Sequence, residues 1–258
     1  MQDVLRVAAE LDLNQAPPII PQPVQRHIRK LTGDDDPYRE PKQRANEVVL
    51  AAFPALSAEV RAAQDPPTAA VRLEIAGNTI DAGANGADSV ERIEQELSVA
   101  YKRPFRGDVG EFRRAVGSAR SILFLTDNTG EIVIDRLLAQ QLPLERTAFA
   151  VRGAQVLNDA TLADARFAGL DRLTEVIDNG SDAPGTVLAD CSRELRLRFA
   201  ATDLIIAKGQ GDYETLSEEP HDIFFLFAVK CDVAERHAGL PRGTQVLLRS
   251  AVENVAIA

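Results

Sequence analysis

Two metal-capable side chains stand together after an apolar run, in the stretch FLTDNTGEIVID at residues 124–135. Asp127 and Asn128 offer a carboxylate and an amide oxygen, which are hard ligands suited to magnesium or manganese. Gly130 frees the backbone for a tight entry into a helix whose free amides would face the same space. A second interpretation is that Asp127 or Asn128 caps this helix. The stretch alone leaves both interpretations open.

A similar pair follows another β-like run, in the segment VRGAQVLNDATLADA at residues 151–165. Here Asn158 and Asp159 again place an amide and an acid after apolar residues. Asp159 could complete a divalent site with Asp127 and Asn128, leaving the open positions to water and substrate. Taken singly, Asp159 is also a good cap for a helix that begins shortly after it.

The segment LIIAKGQGDYETL, residues 204–216, combines a strand-like run with a lysine and two glycines. Gly209 and Gly211 would let backbone amides approach an anion, and Lys208 supplies a positive charge beside them. The segment is a poor dinucleotide fingerprint because Glu214 holds the third glycine position. It is not a Walker loop either, because the lysine precedes the glycines. A structural turn with an exposed lysine is the alternative.

The elements that must position these residues are β-rich runs alternating with amphipathic helices after residue 120. The β-rich runs are SILFLT, TAFAV, DLIIA, IFFLFAVKC and TQVLLRS, and the helical stretches include EIVIDRLLAQQ, GQGDYETL and DVAERHAG. Continuous apolar runs are typical of parallel strands buried on both faces. The pattern therefore predicts an α/β fold, a three-layer α/β/α sandwich with a mostly parallel sheet. Ligands of such sheets bind outside the carboxyl ends of the strands, where all three segments fall.

The first part of the chain has a different pattern, with helical periodicity interrupted by proline clusters. Asp108 and Glu111 form a capping-box signature before Phe112. We expect residues 1–115 to form a mainly helical, all-α N-terminal subdomain that contributes to the rim of the site. Residues 116–258 would then form the α/β/α catalytic domain.

The composition argues against several classes of protein. The 258 residues carry a formal net charge of -10, which is unfavourable for binding a nucleic-acid backbone. No apolar run approaches the roughly 18 residues needed to cross a bilayer, and the N-terminus lacks the features of a signal peptide. We therefore expect a cytoplasmic protein with neither a nucleic-acid nor a membrane partner. The two cysteines, Cys191 and Cys231, have no metal-ligand spacing and do not indicate a zinc site.

Metal ligands beside a phosphate-binding turn indicate phosphoryl chemistry. At this point the segments together resemble a known family, the metal-dependent damage-control phosphatases, formerly domain of unknown function 89, in their short prokaryotic, ARMT1-like form. DNTGEIVID resembles the DNxGE signature, NDATLADA the NDxTxxDA segment and KGQGDYETL the KGQGNxE loop. The resemblance continues upstream in DDDPYREPKQRANE and AGNTIDAG and downstream in IFFLFAVKC, so it covers most of the chain. Two departures are the absent N-terminal CxxC element and Asp212, where the family usually has asparagine.

The resemblance implies a helical N-terminal subdomain on an α/β/α sandwich and hydrolysis of small phosphorylated metabolites. It also implies a bound divalent cation, for which manganese, magnesium, cobalt and nickel are the candidates. Its ligands would be Asp127, Asn128 and Asp159. Carried over in the same way, Lys208 would contact the phosphate, and Asn78 and Asp81 would lie near the site from the helical side.

Our leading hypothesis is a phosphomonoesterase, acting on compounds such as sugar phosphates, in which cation-activated water attacks phosphorus. Its catalytic residues would be Asp127, Asn128, Asp159 and Lys208. The charge on the phosphate would be stabilised by Lys208, by the amides from Gly209 to Gly211, and by the helix start at Gly130 and Glu131. Because its own charge would repel phosphate, Glu131 is expected to support the site or position water.

Two alternatives remain open from the sequence. Asp127 could be a nucleophile that forms an aspartyl phosphate, although Thr129 stands where the enzymes of that type have a second aspartate. The protein could also be a non-catalytic nucleotide-binding or phosphometabolite-binding protein, or a transferase that uses the GQG turn.

Overall fold

The α/β domain is built on one seven-stranded sheet, seen in a computed structural model that describes residues 2–78, 95 and 97–250. The strands are β1 Phe105–Arg106, β2 Ile122–Leu125, β3 Thr147–Val151, β4 Glu175–Asp178, β5 Leu204–Lys208, β6 Ile223–Ala228 and β7 Gln245–Arg249. The helices are α1 Gln2–Ala9, α2 Gln22–Thr32, α3 Arg39–Ala62, α4 Pro66–Gly77, α5 Val109–Ser118, α6 Glu131–Ala139, α7 Leu162–Ala168, α8 Arg193–Ala201, α9 Gly209–Leu216 and α10 Asp232–Ala238.

The strand order is β1-β7-β6-β5-β2-β3-β4. The strands from β6 to β4 are parallel to one another, whereas β7 is antiparallel to β6, and β1 is parallel to β7. The chain passes from β2 to β3 and β4, and then returns to β5 and β6 on the other side of β2. The carboxyl ends of β2 and β5 therefore form the topological switch point, where open α/β sheets bind their ligands.

Alternate residues of the central strands pack on opposite faces of the sheet, as the side-chain period of two requires. In β2, Ile122 and Phe124 belong to one apolar core, while Leu123 and Leu125 belong to the other. The first core lies under α3 to α7, and the second lies under α8 to α10. The sheet is thus covered on both faces, and the predicted three-layer α/β/α sandwich with a mostly parallel sheet is confirmed.

Helices α3 and α4 are part of one of these layers. Val49 of α3 and Leu73 of α4 are fully buried in the same core as Ile134 of α6 and Phe124 of β2. The short strand β1 also precedes residue 116, yet it pairs with β7 in the sheet. The subdomain boundary near residue 115 stays a prediction, and the apolar core runs across it without interruption.

Helix α2 is attached to the loop between β4 and α8 by a charged cluster around Asp182. Gln22 Nε2 donates to Asp182 Oδ1 at 2.7 Å, and Arg26 Nε donates to the same carboxylate at 2.9 Å. Burial raises the pKa of Asp182, but these donors outweigh it, so the pKa lies below its usual value. The contacts fix a loop that also carries Thr186, which lies next to the candidate site.

Among the helices that the structure describes, none combines the length and the apolar character of a bilayer-crossing segment.

Candidate active site at the switch point

The first site segment is the turn between β2 and α6. Asp127 and Asn128 lie in it directly after Thr126, and Gly130 takes a positive φ of 74° before the helix begins. The amide of Gly130 donates to Asn46 Oδ1 at 2.7 Å, so a residue of α3 caps this turn. We expected the Gly130 amide to face an anion. In the structure it is hydrogen-bonded to a side chain of the protein.

The second segment, which carries Asp159, is joined to the first through the backbone. The amide of Ala160 donates to the carbonyl of Asp127 at 2.8 Å, and the amide of Thr129 donates to the carbonyl of Asn158 at 2.9 Å. Leu157, just before this bridge, has a φ of 45°, which is a strained value for a leucine. These contacts bring Asp159 beside Asn128, as the sequence led us to expect for a shared site.

The hydrogen bonds of these three side chains leave one oxygen of each without a hydrogen bond from any described residue. Asp127 Oδ2 accepts from Asn128 Nδ2 at 2.9 Å, which leaves the Asn128 carbonyl oxygen and Asp127 Oδ1. Asp159 Oδ2 accepts from Arg152 Nε at 2.6 Å, which leaves Asp159 Oδ1. Two carboxylate oxygens and an amide oxygen are donors that fit a divalent cation such as magnesium or manganese.

Histidine and cysteine contribute nothing to this arrangement. Among the described residues, no group of three or more histidine, cysteine, aspartate or glutamate side chains is placed to hold a metal. The candidate set instead has two acids and one amide. The ligand roles of Asp127, Asn128 and Asp159 stay predictions.

The electrostatic environment of the two acids favours a positive charge. Burial raises the pKa of Asp127 well above its usual value, and the charges of Glu131 and Asp159 raise it further, against an opposing effect of Lys230. Burial also raises the pKa of Asp159 to about 6, although Arg152 opposes the shift. Neighbouring carboxylates with raised pKa values are typical of functional sites, and a cation would favour their ionised forms.

Glu131 and Asn78 hold the first segment from the side of the helices. Glu131 Oε2 accepts from Asn128 Nδ2 at 3.3 Å and from Asn78 Nδ2 at 3.4 Å. Asn78 Nδ2 also donates to Asp127 Oδ2 at 2.7 Å, and its own carbonyl oxygen accepts from the amide of Ala228 at 3.4 Å. Asn78 thus lies at the site, in contact with a candidate ligand.

Asp81, the other residue expected from the helical side, lies outside the described residues.

Lys208 ends β5 in a fully buried cluster of carboxylates. Its ammonium contacts Glu74 of α4, and it lies 2.6 Å from Glu131 Oε1 and 2.7 Å from Asp135 Oδ1. Burial lowers the pKa of Lys208, but the three carboxylates outweigh it and raise the pKa well above its usual value. The predicted contact of Lys208 with phosphate would have to compete with all three carboxylates, and it stays a prediction.

The turn from β5 into α9 requires glycine at positions 209 and 211 for two different reasons. Gly209 has a φ of 81°, and a Cβ there would lie 2.1 Å from Asp127 Oδ2, so only glycine lets the acid approach. A Cβ on Gly211 would instead lie 2.8 Å from the carbonyl oxygen of Pro184. The glycine at 211 is therefore accounted for by packing, and its predicted contact with phosphate stays a prediction.

Two charged residues near the site, Arg152 and Lys230, were not among the candidates predicted from the sequence. Arg152 follows β3 directly and is fully buried, and Lys230 is a half-buried residue just beyond β6. Lys230 has no salt bridge to a residue that the structure describes, and its positive charge opposes the rise in the pKa of Asp127. Both residues follow the carboxyl ends of strands, at the sheet edge where ligands were expected to bind. That position was the only feature of the sequence that could have indicated them.

Asp212, the departure from the family pattern, is fully buried on α9. Its Oδ1 accepts from the amide of Thr186 at 2.6 Å and lies 3.5 Å from Arg152 Nη2. Burial raises the pKa of Asp212, and Arg152 opposes the shift. The extra negative charge therefore faces an arginine inside the protein.

The fold and the site define a class of protein, a doubly wound α/β protein with two acids and an amide at its switch point. Comparison with known families is consistent with this class. The family model described as the damage-control phosphatase ARMT1-like domain matches residues 1–246. The chain belongs to this family.

Individual proteins of similar length also resemble this chain in sequence and structure. A protein named damage-control phosphatase from Archaeoglobus fulgidus is 34% identical over 232 residues, covering 86% of this chain and 79% of its own. Damage-control phosphatase PH1575 from Pyrococcus horikoshii is 33% identical over 249 residues, with 95% and 85% covered. The crystal structure of a DUF89 family protein from Pyrococcus horikoshii matches with a TM-score of 0.85 at 32% identity, covering 96% of this chain and 88% of that one.

Proposed function

We propose that this protein is a metal-dependent phosphatase that hydrolyses small phosphorylated metabolites, with phosphomonoesters such as sugar phosphates as its substrate class. The observation that carries the proposal is the convergence of Asp127, Asn128 and Asp159 at the switch point, through the backbone bridge between their two loops. Family membership supports the same reaction, because two relatives are named damage-control phosphatases.

Asp127, Asn128 and Asp159 would hold the divalent cation through the three oxygens that no described residue uses. When bound, such a cation polarises a phosphoryl oxygen and makes a water molecule more acidic. The protein's own contribution is to keep the three oxygens aligned. Asn78 and Glu131 do this for the first loop, since each contacts Asn128 or Asp127 directly.

We assign the substrate phosphate to Lys230 in place of Lys208. A half-buried lysine without a salt bridge to a described residue is suited to bind an anion through its ammonium. Lys230 lies two residues beyond the end of β6, and its positive charge opposes the rise in the pKa of Asp127. Lys208 is instead enclosed by carboxylates, and we assign it to holding Glu131 in the position that supports Asn128.

The test is hydrolysis of p-nitrophenyl phosphate by chelator-treated protein after addition of manganese, magnesium, cobalt or nickel. We expect activity with at least one of these metals and a fall of at least about 100-fold in Asp127→Asn, because a ligand and its charge are altered. Asp171→Asn is the matched control, since Asp171 is an exposed acid outside the site. Its activity should equal that of the unmodified protein.

Absence of hydrolysis with all four metals, together with tight nucleotide binding, would replace this proposal by the nucleotide-binding alternative. Full activity in Asp127→Asn would show that the reaction uses another site. If the protein hydrolyses p-nitrophenyl phosphate with one of these metals, a screen of phosphorylated metabolites with that metal identifies the natural substrate.

A further inference from the structure

Arg152 is a fully buried arginine whose side chain lies among three acids. Its Nε donates to Asp159 Oδ2 at 2.6 Å, and its Nη1 donates to Thr186 Oγ1 at 3.3 Å. Its Nη2 lies 3.5 Å from Asp212 Oδ1 and 3.9 Å from Asp127 Oδ1. Burial of an arginine is costly unless its charge is compensated, and the surrounding acids provide that compensation.

The donors of this guanidinium are not equally used. Nε and Nη1 have hydrogen-bond acceptors, whereas Nη2 has only the ion pairs with Asp212 at 3.5 Å and Asp127 at 3.9 Å, forms no hydrogen bond of ordinary geometry to a described residue and is shielded from solvent. An unused donor on a buried charged group is unfavourable, so such groups in native proteins generally have a partner such as a water, an ion or a ligand. Nη2 therefore has hydrogen-bonding capacity that its neighbouring carboxylates do not fill.

The location of Nη2 identifies the chemistry of an additional acceptor. Its nearest neighbour on the site side is Asp127, an acid whose side chain is 15% exposed and which lies at the proposed cation site. An acceptor of this guanidinium would be favoured by negative charge and by several oxygens, and the proposed cation would offset the negative charge of Asp127. A phosphoryl group has both, and the planar fork of arginine is well suited to it.

We propose that Arg152 is a further catalytic residue, whose Nη2 donates a hydrogen bond to the phosphoryl group of the substrate. This inference rests on the proposed phosphatase function. Asp159 and Thr186 hold the guanidinium through its other two nitrogens, and Asp212, 3.5 Å from Nη2, balances its charge. Arg152 then stabilises negative charge on the phosphoryl oxygens as the reaction proceeds.

The decisive variant is Arg152→Lys, which keeps a positive charge opposite Asp159 but removes the guanidinium fork. We expect kcat on p-nitrophenyl phosphate to fall about 100-fold at saturating manganese. The dissociation constant of inorganic phosphate, measured by calorimetry on manganese-loaded protein, should rise at least about tenfold. Manganese content should stay at the wild-type level. If excess manganese restores kcat, Arg152 serves only to hold Asp159, and the proposal is overturned.

Thr186→Val is the second variant, and it tests the proposed role of Arg152 if Arg152→Lys does not fold. It removes the acceptor of Nη1 and leaves the backbone contact between Thr186 and Asp212 in place. We expect kcat to fall several-fold, on the order of fivefold, with wild-type manganese content, because the guanidinium loses one of its two anchors. Wild-type kcat in this variant would contradict the proposal.

Phosphate binding separates this inference from the proposed function. If the wild-type protein hydrolyses phosphomonoesters and Arg152→Lys binds phosphate and turns over equally well, only the role of Arg152 is refuted. If the wild type hydrolyses none but loses phosphate affinity on Arg152→Lys, the phosphatase proposal is refuted and the contact of Arg152 with phosphate is supported. Absence of phosphate binding by the manganese-loaded wild type refutes both.

Discussion

Lys208 illustrates how a residue's partners decide its role. From the sequence it is a lysine before two glycines, which is a reasonable phosphate ligand. In the folded chain its ammonium contacts Glu74, Glu131 and Asp135, which come from two helices far from it in sequence. Burial also raises the pKa of Glu74 well above its usual value, with Lys208 opposing the shift. The cluster is therefore held together by one cation.

Replacing Lys208 with methionine should destabilise the protein strongly. Removing the cation leaves three buried carboxylates uncompensated, so we expect a loss of about 3 to 5 kcal/mol in the free energy of unfolding. Urea denaturation followed by circular dichroism measures this loss.

Lys230→Met is the matched control, because Lys230 is also a lysine at this sheet edge but is half-buried. We expect its stability to change by no more than about 0.5 kcal/mol while its phosphatase activity falls. Wild-type stability in Lys208→Met would show that the cluster does not depend on its cation.

The difference between a residue's type and its partners in the fold also explains which site residues could be predicted from the sequence. Asp127, Asn128 and Asp159 have the types of metal ligands and follow apolar runs, so a local rule finds them. Arg152 and Lys230 follow strands too, but a basic residue at a strand end has many ordinary explanations. The roles proposed for them depend on which residues the fold brings next to them, and residue type alone does not show that.

At the scale of elements, strong local patterns predicted the structure well. The runs SILFLT, TAFAV, DLIIA and IFFLFAVKC correspond to β2, β3, β5 and β6, and GQGDYETL coincides with α9. Asp108 caps α5 by accepting from the amide of Glu111, as its capping-box signature predicts. Strands β1 and β4 were missed, because β1 has 2 residues and β4 begins and ends in exposed charged residues. Sheet partners create such strands, and local sequence does not show them.

The turn between β5 and α9 offers a test at this scale. A methyl group at Gly209 would overlap the carboxylate of Asp127, and the positive φ adds backbone strain. We therefore expect Gly209→Ala to lower kcat/KM about 100-fold through displacement of Asp127. Steady-state kinetics at saturating manganese measures the effect.

Gly239→Ala is the control, because Gly239 has a similar φ of 65° but no atom within 4 Å of the added methyl group. It should cost about 1 kcal/mol of stability and leave kcat/KM unchanged. Equal kinetic losses in the two variants would mean that backbone strain, and not the contact with Asp127, is responsible.

At the scale of the whole molecule, binding of a cation to the folded state should stabilise the protein. The site is formed by loops far apart in the chain, so the unfolded state lacks it. At about 100 times the dissociation constant, binding adds about 2.7 kcal/mol, which for a chain of this size raises Tm by roughly 5 to 10 °C. Scanning calorimetry with and without manganese measures the shift.

Asp159→Asn should reduce this shift to near zero, because one of the two charged ligands is lost, while Asp171→Asn should retain it. A full manganese-dependent shift in Asp159→Asn would place the cation elsewhere in the protein. Calorimetry therefore locates the site without reference to activity.

The shared core of α3, α4 and the sheet also bears on how the chain folds during its synthesis. Val49 and Leu73 emerge early, but they belong to the same core as Leu226 and Leu247, which are translated near the end. Contacts between distant parts of a chain form late, because a long loop must close first. The apolar faces of α3 and α4 can therefore be fully buried only after the last strands of the sheet have been translated.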